Sequence, residues 1–380
     1  MGCAFVDVNR DGLLDLYVAN YVHYDPALPL CETNGIKHGC TPNQYNTQPN
    51  ELYINLGGGH FAERSKALGA DDPNGAGLGV LVCDFDNDGW PDIFVANDGT
   101  PNALLHNEHG HFRNVGQPSS VAYSEDGAMR AGMGTDAADV DGDGLLDLFI
   151  TNFQHEPNSL YKNDGKMQFH EITYPSGTGT PTLNHLAFGA AFGDFDGDGK
   201  MDIYVGNGHV YENVAKFDDT ATFEQQDQVF HNIGGGRFEE VPVSPQGVPE
   251  MKSVARGVTV GDFKNDGAIG VLINSLGHPV RLLENHSPHN RHWVGLKLKG
   301  THSNRSAIGA RIEYRSPTGL QVHEVRSGGS YLSQPDLRQL FYLDPQTDPS
   351  SVTFHIRWPN GKTQEFKPPT VNSYNQVVEH

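Results

Sequence analysis

Nine-residue aspartate loops recur along this chain: Asp7 to Asp15 (DVNRDGLLD), Asp84 to Asp92 (DFDNDGWPD), Asp139 to Asp147 (DVDGDGLLD) and Asp194 to Asp202 (DFDGDGKMD). Positions 1, 3, 5 and 9 carry oxygen side chains: Asp7, Asn9, Asp11 and Asp15; Asp84, Asp86, Asp88 and Asp92; Asp139, Asp141, Asp143 and Asp147; Asp194, Asp196, Asp198 and Asp202. Two unit charges about 4 Å apart repel by about 4 kcal/mol at an effective dielectric near 20. Such a loop opens, binds protons or takes a cation. Gly at position 6 lets the chain turn back with positive φ, which favours the cation. With the backbone carbonyl of position 7 (Leu13, Trp90, Leu145, Lys200) as a further ligand, the donor set is all oxygen. It suits Ca2+, which accepts six to eight oxygens in flexible geometry, better than Mg2+. The chain is expected to hold about four calcium ions.

An EF-hand would place Glu at position 12 between two helices. Here the last acid is at position 9, followed by Leu16-Tyr17-Val18-Ala19, Ile93-Phe94-Val95-Ala96, Leu148-Phe149-Ile150-Thr151 and Ile203-Tyr204-Val205-Gly206. Short apolar runs of this kind read as strands, so the loops join two strands. A fifth copy, Asp262 to Gly270 (DFKNDGAIG), has Lys264 at position 3 and Gly270 at position 9. It is expected to hold no ion, with Lys264 balancing Asp262 and Asp266.

The first aspartates stand at 7, 84, 139, 194 and 262, giving a base period of 55 with two insertions, near His23 to Pro49 and His209 to Gln226. A second motif keeps the same register: Asn50 to Asn55, Asn102 to Asn107, Asn158 to Asn163 and Asp227 to Asn232, each followed by a turn and a Phe. Each unit is strand, loop, strand, connection, strand, turn, strand, which describes a β-propeller blade. The strand before each loop is rich in small residues, as crowding around an axis requires. The Gly75 to Gly79 run (GAGLG) leads into a strand, not a helix, so it is not a dinucleotide fingerprint. The fold class is all-β: a propeller with five blades visible, over residues 1–285, then a small antiparallel β-sandwich over 286–380 with turns at Pro317-Thr318-Gly319 and Pro359-Asn360-Gly361.

With 26 Lys and Arg against 47 Asp and Glu, the formal charge is -21. A surface this acidic disfavours nucleic acid, and no apolar run reaches membrane-spanning length. Cys31 and Cys40 flank a short polar loop that can close a disulfide or, with His38, contribute to a zinc site; Cys3 and Cys83 are expected to be buried thiols. Loops that need calcium, together with a disulfide, point outside the cytoplasm. The chain opens almost at once on a strand entering a loop, so an export signal is expected upstream.

Once these motifs are in place, the chain resembles the FG-GAP/VCBS repeat propellers, as in integrin α-chains. Ser303 to Arg311, Gly328 to Gln334 and Trp358 to Gly361 resemble the ASPIC/UnbV domain, and together they resemble the cartilage acidic protein-like family of bacterial type. Phe341-Tyr342-Leu343-Asp344 stands where that family has Phe-Gly-Leu-Gly. The resemblance implies seven blades in a complete ring, secretion, calcium-stabilised structure and a role in adhesion or ligand binding.

Other candidates weigh less. His106, His109 and His111 have zinc-like spacing but sit around a hairpin tip. Arg130 and Arg256 are expected to pair with neighbouring acids and not to bind an anion. Arg305, Ser333 and Gln334 belong to the resemblance motifs, as turn holders or ligand contacts. No GxSxG, Ser-x-x-Lys or HExxH motif is present, and Glu125, Asp126, Glu212 and Asp336 are left as unassigned acids of the kind a glycosidase uses. No catalytic residue is assigned. The expected function is a non-catalytic extracellular or cell-surface module that binds a protein or glycan, the insertions being the contact regions. The alternative is a polysaccharide-active or other propeller enzyme.

Overall fold

A computed structural model describes residues 2–243, 251–286, 291–316 and 319–380; the predicted turn at Pro317 and Thr318 falls outside them. Four sheets of four antiparallel strands follow one another. Blade 1 comprises Cys3–Val6, Asp15–Val18, Glu51–Asn55 and Phe61–Glu63. Blade 2 comprises Gly77–Cys83, Asp92–Asn97, Ala103–Asn107 and Phe112–Asn114. Blade 3 comprises Thr135–Ala138, Asp147–Ile150, Ser159–Gly165 and Gln168–Glu171. Blade 4 comprises Ala187–Gly193, Asp202–Asn207, Gln228–Gly234 and Arg237–Val241. Blade 5 has three strands among the described residues: Ala255–Gly261, Gly270–Ser275 and Arg281–Leu283.

The first strands of successive blades lie side by side, and their small residues follow from that. A Cβ on Gly189 would stand 2.6 Å from the Arg256 carbonyl. Between blades the sheets bury large side chains instead. Blades 1 and 2 share Tyr17, Val82, Ile93 and Phe112, and blades 2 and 3 share Phe85, Phe94, Tyr161 and Phe169.

The C-terminal sandwich packs Gln339–Tyr342, Trp293–Lys299 and Ser373–Val378 against Gly319–Glu324, Arg311–Ser316, Phe354–Arg357 and Thr363–Phe366. Its core includes Leu296, Ile312, Phe341, Phe354 and Trp358. It is not wholly antiparallel, because Trp293–Lys299 runs parallel to Ser373–Val378. Between Tyr342 and Ser373 the chain passes through the other sheet and re-enters beside Trp293–Lys299 in the same direction, a crossover that strand alternation does not reveal.

One stretch of the sandwich leaves it and enters the propeller axis. Gly328 bridges Leu81, and Ser330 bridges Thr135, with Ser330 N donating to Thr135 O at 2.6 Å. Ser327 Oγ accepts from Phe5 N, and Thr259 Oγ1 donates to Gln334 O. Tyr331 packs edge-on against Phe188. The segment 327–334 therefore touches the inner strands of blades 1, 2, 3 and 5 and packs on blade 4. Ser333 and Gln334 are turn holders here: Ser333 Oγ donates to Tyr331 O, and Gln334 accepts from Gly328 N and donates to Arg326 O.

Cys31 and Cys40 form a disulfide. Cys83 is buried as expected, but Cys3 is exposed, because Cys3–Val6 alternates and its odd positions face outward.

Candidate metal-binding loops

All five aspartate loops share one backbone path. Gly12, Gly89, Gly144, Gly199 and Gly267 have φ between 84° and 90°, and position 4 is also left-handed, at Arg10, Asn87, Gly142, Gly197 and Asn265. Four of those five position-4 residues are Gly or Asn, a signal that the pattern of acids overshadowed. Position 1 receives the turning backbone: Asp7 Oδ2 accepts from Gly12 N at 2.9 Å, Asp84 Oδ2 from Gly89 N at 2.8 Å, Asp139 Oδ2 from Gly144 N at 2.9 Å and Asp194 Oδ2 from Gly199 N at 2.7 Å. Asp262 does the same with Gly267 N, so the loop shape survives where ligands are missing.

Position 9 has a different duty. Asp15, Asp92, Asp147 and Asp202 each span from the position-2 amide to the amide of a third-strand asparagine; Asp147, for example, accepts from Val140 N at 3.0 Å and Asn163 N at 2.8 Å. Oxygens of Asp84, Asp86 and Asp88 converge within 4.8 Å, as do those of Asp139, Asp141 and Asp147, and those of Asp194, Asp196 and Asp198. In the first loop Asn9 Oδ1 accepts from Asp11 N while its amide donates to Asp11 Oδ2.

Burial raises the carboxyls of Asp7, Asp15, Asp139 and Asp202 to about 6, Asp92 to about 7 and Asp147 to about 8; Asp194 also rises well above its ordinary value. Desolvation is the main cause in every case, and neighbouring loop aspartates add to it. These carboxylates are close together and desolvated, and among the described residues Asp84 Oδ1 is buried with no hydrogen-bond partner. That donor chemistry fits a hard dication. Asp7, Asp11, Asp15, Asp84, Asp86, Asp88, Asp139, Asp141, Asp143, Asp147, Asp194, Asp196, Asp198 and Asp202, with Asn9, are the side chains available to hold it.

The fourth residue of the third strand differs from blade to blade, Ile54, His106, Lys162 and His231, and the last three reach aspartates of the loop. Lys162 Nζ contacts Asp141 and, at 2.6 Å, Asp143. An ammonium thus competes for the third site. Replacing it, as Lys162→Met, should raise calcium affinity there about tenfold, on the order of 1 kcal/mol for a partly exposed pair; calorimetric titration of both proteins checks this. Lys200 Nζ likewise contacts Asp198. In the fifth loop Lys264 pairs with Asp266 at 3.4 Å and Glu284 at 3.6 Å, not with Asp262. Asp262 instead receives Tyr374 Oη at 3.1 Å, because the sandwich covers that side of the loop.

Asparagines in the third strand, or two residues past it in blade 5, staple neighbouring blades. Asn107 Nδ2 donates to Val8 O, Asn163 to Phe85 O, Asn232 to Val140 O and Asn285 to Phe195 O, each acceptor being position 2 of the preceding loop. Asn163 is fully buried. Its side chain also donates to Leu146 O and accepts from Gly165 N. Asn163→Ala strands these buried groups and should cost about 3 kcal/mol in urea unfolding. The recurring Asn was visible in the sequence; its reach across blades was not.

The loop face is covered by the sandwich. Arg357 donates to Asn87 O at 3.0 Å and contacts Asp84; Arg311 donates to Gly144 O at 2.6 Å; Arg291 donates to Asp198 O at 2.7 Å. Tyr342 Oη donates to Gly267 O at 2.5 Å, which explains why a tyrosine rather than a small residue stands there. A Cβ on Gly144 or Gly199 would lie 3.1 Å from Leu320 or Gln321.

The insertions lie at the other end of the blades, between second and third strands, and they meet. His38 packs against Tyr211 at 5.0 Å and Phe217 at 5.2 Å, and Asn213 Nδ2 donates to Lys37 O. Arg130 pairs with Glu171 at 2.6 Å as expected. Arg256, expected to pair with an acid, has no acid partner among the described residues; it donates to the carbonyls of Gly208, Ala255 and His209 and stacks on Phe188. Of the remaining acids, Asp336 is paired with Arg338, Asp126 accepts from Ser124 and Ala128 N, and Glu125 and Glu212 are exposed; Arg305 is exposed too. His109 packs on Trp90 and does not join His106.

Residues 300–380 match the ASPIC and UnbV family, and residues 40–95, 84–150 and 139–205 match FG-GAP-like repeats. Over 373 residues the chain is 26% identical to cartilage acidic protein 1 of Mus musculus, covering 94% of this chain and 51% of that protein. Over 298 residues it is 30% identical to cartilage acidic protein 1 of Homo sapiens, covering 75% of this chain and 41% of that one. The chain therefore spans about half the length of these relatives or less. A solved structure of an Agrocybe aegerita lectin, described as recognising non-reducing terminal N-acetylglucosamine, covers 74% of this chain and 65% of the lectin, with 16% identity and a TM-score of 0.37.

Proposed function

Because this chain is an FG-GAP-repeat protein with an ASPIC and UnbV domain, homologous to cartilage acidic protein 1, we propose that it is a secreted, calcium-dependent binding module without catalytic activity. Calcium would be held by the aspartates of the four complete loops, where it supplies the positive charge that buried carboxylates need. The loops' task is structural: they brace each blade and present a rigid floor on which the sandwich sits. Binding of a protein or glycan partner then falls to the opposite end. The observation that carries this reading is the meeting of the two insertions, where the disulfide-closed hairpin and the Tyr211–Phe217 stretch form one continuous aromatic and polar surface. Loops on a rigid scaffold are where binding residues concentrate.

A glycan array and an extracellular-matrix protein panel, probed with and without chelator, test it. Binding that needs calcium and is lost in a His38→Ala, Tyr211→Ala double variant is the expected result. Chemical turnover of a bound polysaccharide would replace it with an enzyme.

A further inference from the structure

Where the second strand of each blade ends, a buried asparagine does the same work in four blades. The backbone N of Asn20, Asn97, Asn152 and Asn207 donates to the side chain that opens the next strand motif, and Nδ2 of each donates to the carbonyl just before that motif. The residue that follows differs every time: Tyr21, Asp98, Phe153 and Gly208, with Leu276 in blade 5. These positions gather around the propeller axis at the insertion end. Tyr21 Oη donates to Asp98 Oδ2 at 2.6 Å. Tyr21 and Phe153 pack, with Tyr331 of the axial segment, on the inner-strand side chains Met133 and Phe188. Phe153 continues to His209 at 5.4 Å and Tyr211 at 6.4 Å, so the aromatic surface of the insertions runs on to the axis.

Arg256 stands at the inner end of that surface, 4.1 Å over the Phe188 ring, which also packs on Tyr331. Its Nη1 donates to Gly208 O and Ala255 O, and its Nη2 to His209 O. A guanidinium carries five N–H donors in a planar fork. Nε and one hydrogen of the neighbouring Nη2 are therefore left without a partner among the described residues, on a side chain that is only partly buried. Asp98, the acid of the ring, is held by Tyr21. Burial pulls the Arg256 guanidinium down to about 10, and only the Tyr331 phenol acts the other way. In a chain of formal charge -21, a cation brought to the axis without a counter-charge suits an incoming anion.

We infer that the axial opening at the insertion end binds an acidic saccharide, its carboxylate or sulfate on the free donors of Arg256 and its ring faces on Phe153, Tyr211 and Tyr331. Aromatic faces with few hydrogen-bonding groups between them suit the apolar faces of sugar rings. An extended peptide takes its affinity from backbone partners along a strand edge, and these side chains offer none. This deepens the binding reading proposed above and rests on it: the ligand of the insertion end is an anion, and Arg256 selects it.

The test titrates the full chain, in calcium, with tetragalacturonate, its neutral methyl ester, a carrageenan tetrasaccharide and a short peptide ending in a free carboxylate. Calorimetry reads each affinity. At least one acidic saccharide should bind about tenfold or more tighter than the ester; the uronate answers for a carboxylate and the carrageenan for a sulfate. Arg256→Met should remove that preference and Arg256→Lys should keep part of it, with circular dichroism confirming the fold. Leu276→Glu adds a carboxylate at the exposed ring position of the same blade. It should weaken the acidic saccharides about tenfold and leave the ester unchanged, which decides the matter even where Arg256→Met fails to fold. Equal binding of acid and ester, wild-type affinity for the acids in both Arg256→Met and Leu276→Glu, or tighter binding of the peptide would overturn the inference. If a neutral glycan or a matrix protein binds through His38 and Tyr211 while no acidic saccharide does, this inference fails and the binding reading stands. If nothing binds, both fail.

Discussion

Removing calcium should lower the thermal midpoint of this protein by about 20 °C. At calcium one hundredfold above its dissociation constant, a site that forms only in the folded chain contributes about 2.7 kcal/mol. Four such sites add about 10 kcal/mol, and a chain of this size shifts by about 2 °C for each kcal/mol. Scanning calorimetry with calcium and with EGTA reads the difference directly. The pH response should change sign as well. Without the ion, burial lifts the carboxyls of Asp147 to about 8 and Asp92 to about 7, and those of Asp7, Asp15, Asp139 and Asp202 to about 6. Each of these binds a proton more readily in the folded chain than in the unfolded one. The metal-free protein therefore gains stability as pH falls from about 8 to about 5. In the calcium-loaded protein those protons compete with the ion, so the midpoint falls over the same range.

Arg326→Ala should destabilise the protein by about 3 to 5 kcal/mol, the largest effect expected from a single substitution. Arg326 stands where the sandwich hands its chain to the propeller axis. Its Nη2 pairs with Asp136 Oδ1 at 3.1 Å, and its Nη1 donates to Ala137 O at 2.5 Å. Asp136 is buried within blade 3 and also accepts from Phe192 N of blade 4. Removing the guanidinium leaves that carboxylate buried without its counter-charge and loosens the anchor of the segment 327–334. Urea unfolding should show a lower midpoint in Arg326→Ala and partial recovery in Arg326→Lys, which restores the charge without the two-pronged geometry. An unchanged midpoint would mean that the axial segment does not hold the blades.

The repeat register, the blade order and the extent of the loops were legible because each is written locally. Asp at alternating positions, Gly at position 6 and an apolar strand beyond them describe a hairpin without reference to anything distant. What stayed hidden depends on contacts between elements. Nothing near Lys162 or His106 says that a third-strand side chain leans over the loop of its own blade. Nothing near Asn163 says that its amide crosses to Phe85. The sandwich was legible as strands, but its seat on the loop face rests on Arg291, Arg311, Arg357 and Tyr342 reaching backbone oxygens far away in sequence. Lys264 was matched to Asp262 on charge alone; Tyr374, which takes that aspartate, lies 112 residues away.

The most direct test of the account is an anomalous difference map from crystals grown with calcium as the sole divalent cation. Peaks inside the loops that begin at Asp7, Asp84, Asp139 and Asp194, and none at Asp262, are what the charge arrangement predicts. Empty density at all four, in a protein that melts at the same temperature with and without EGTA, would contradict it.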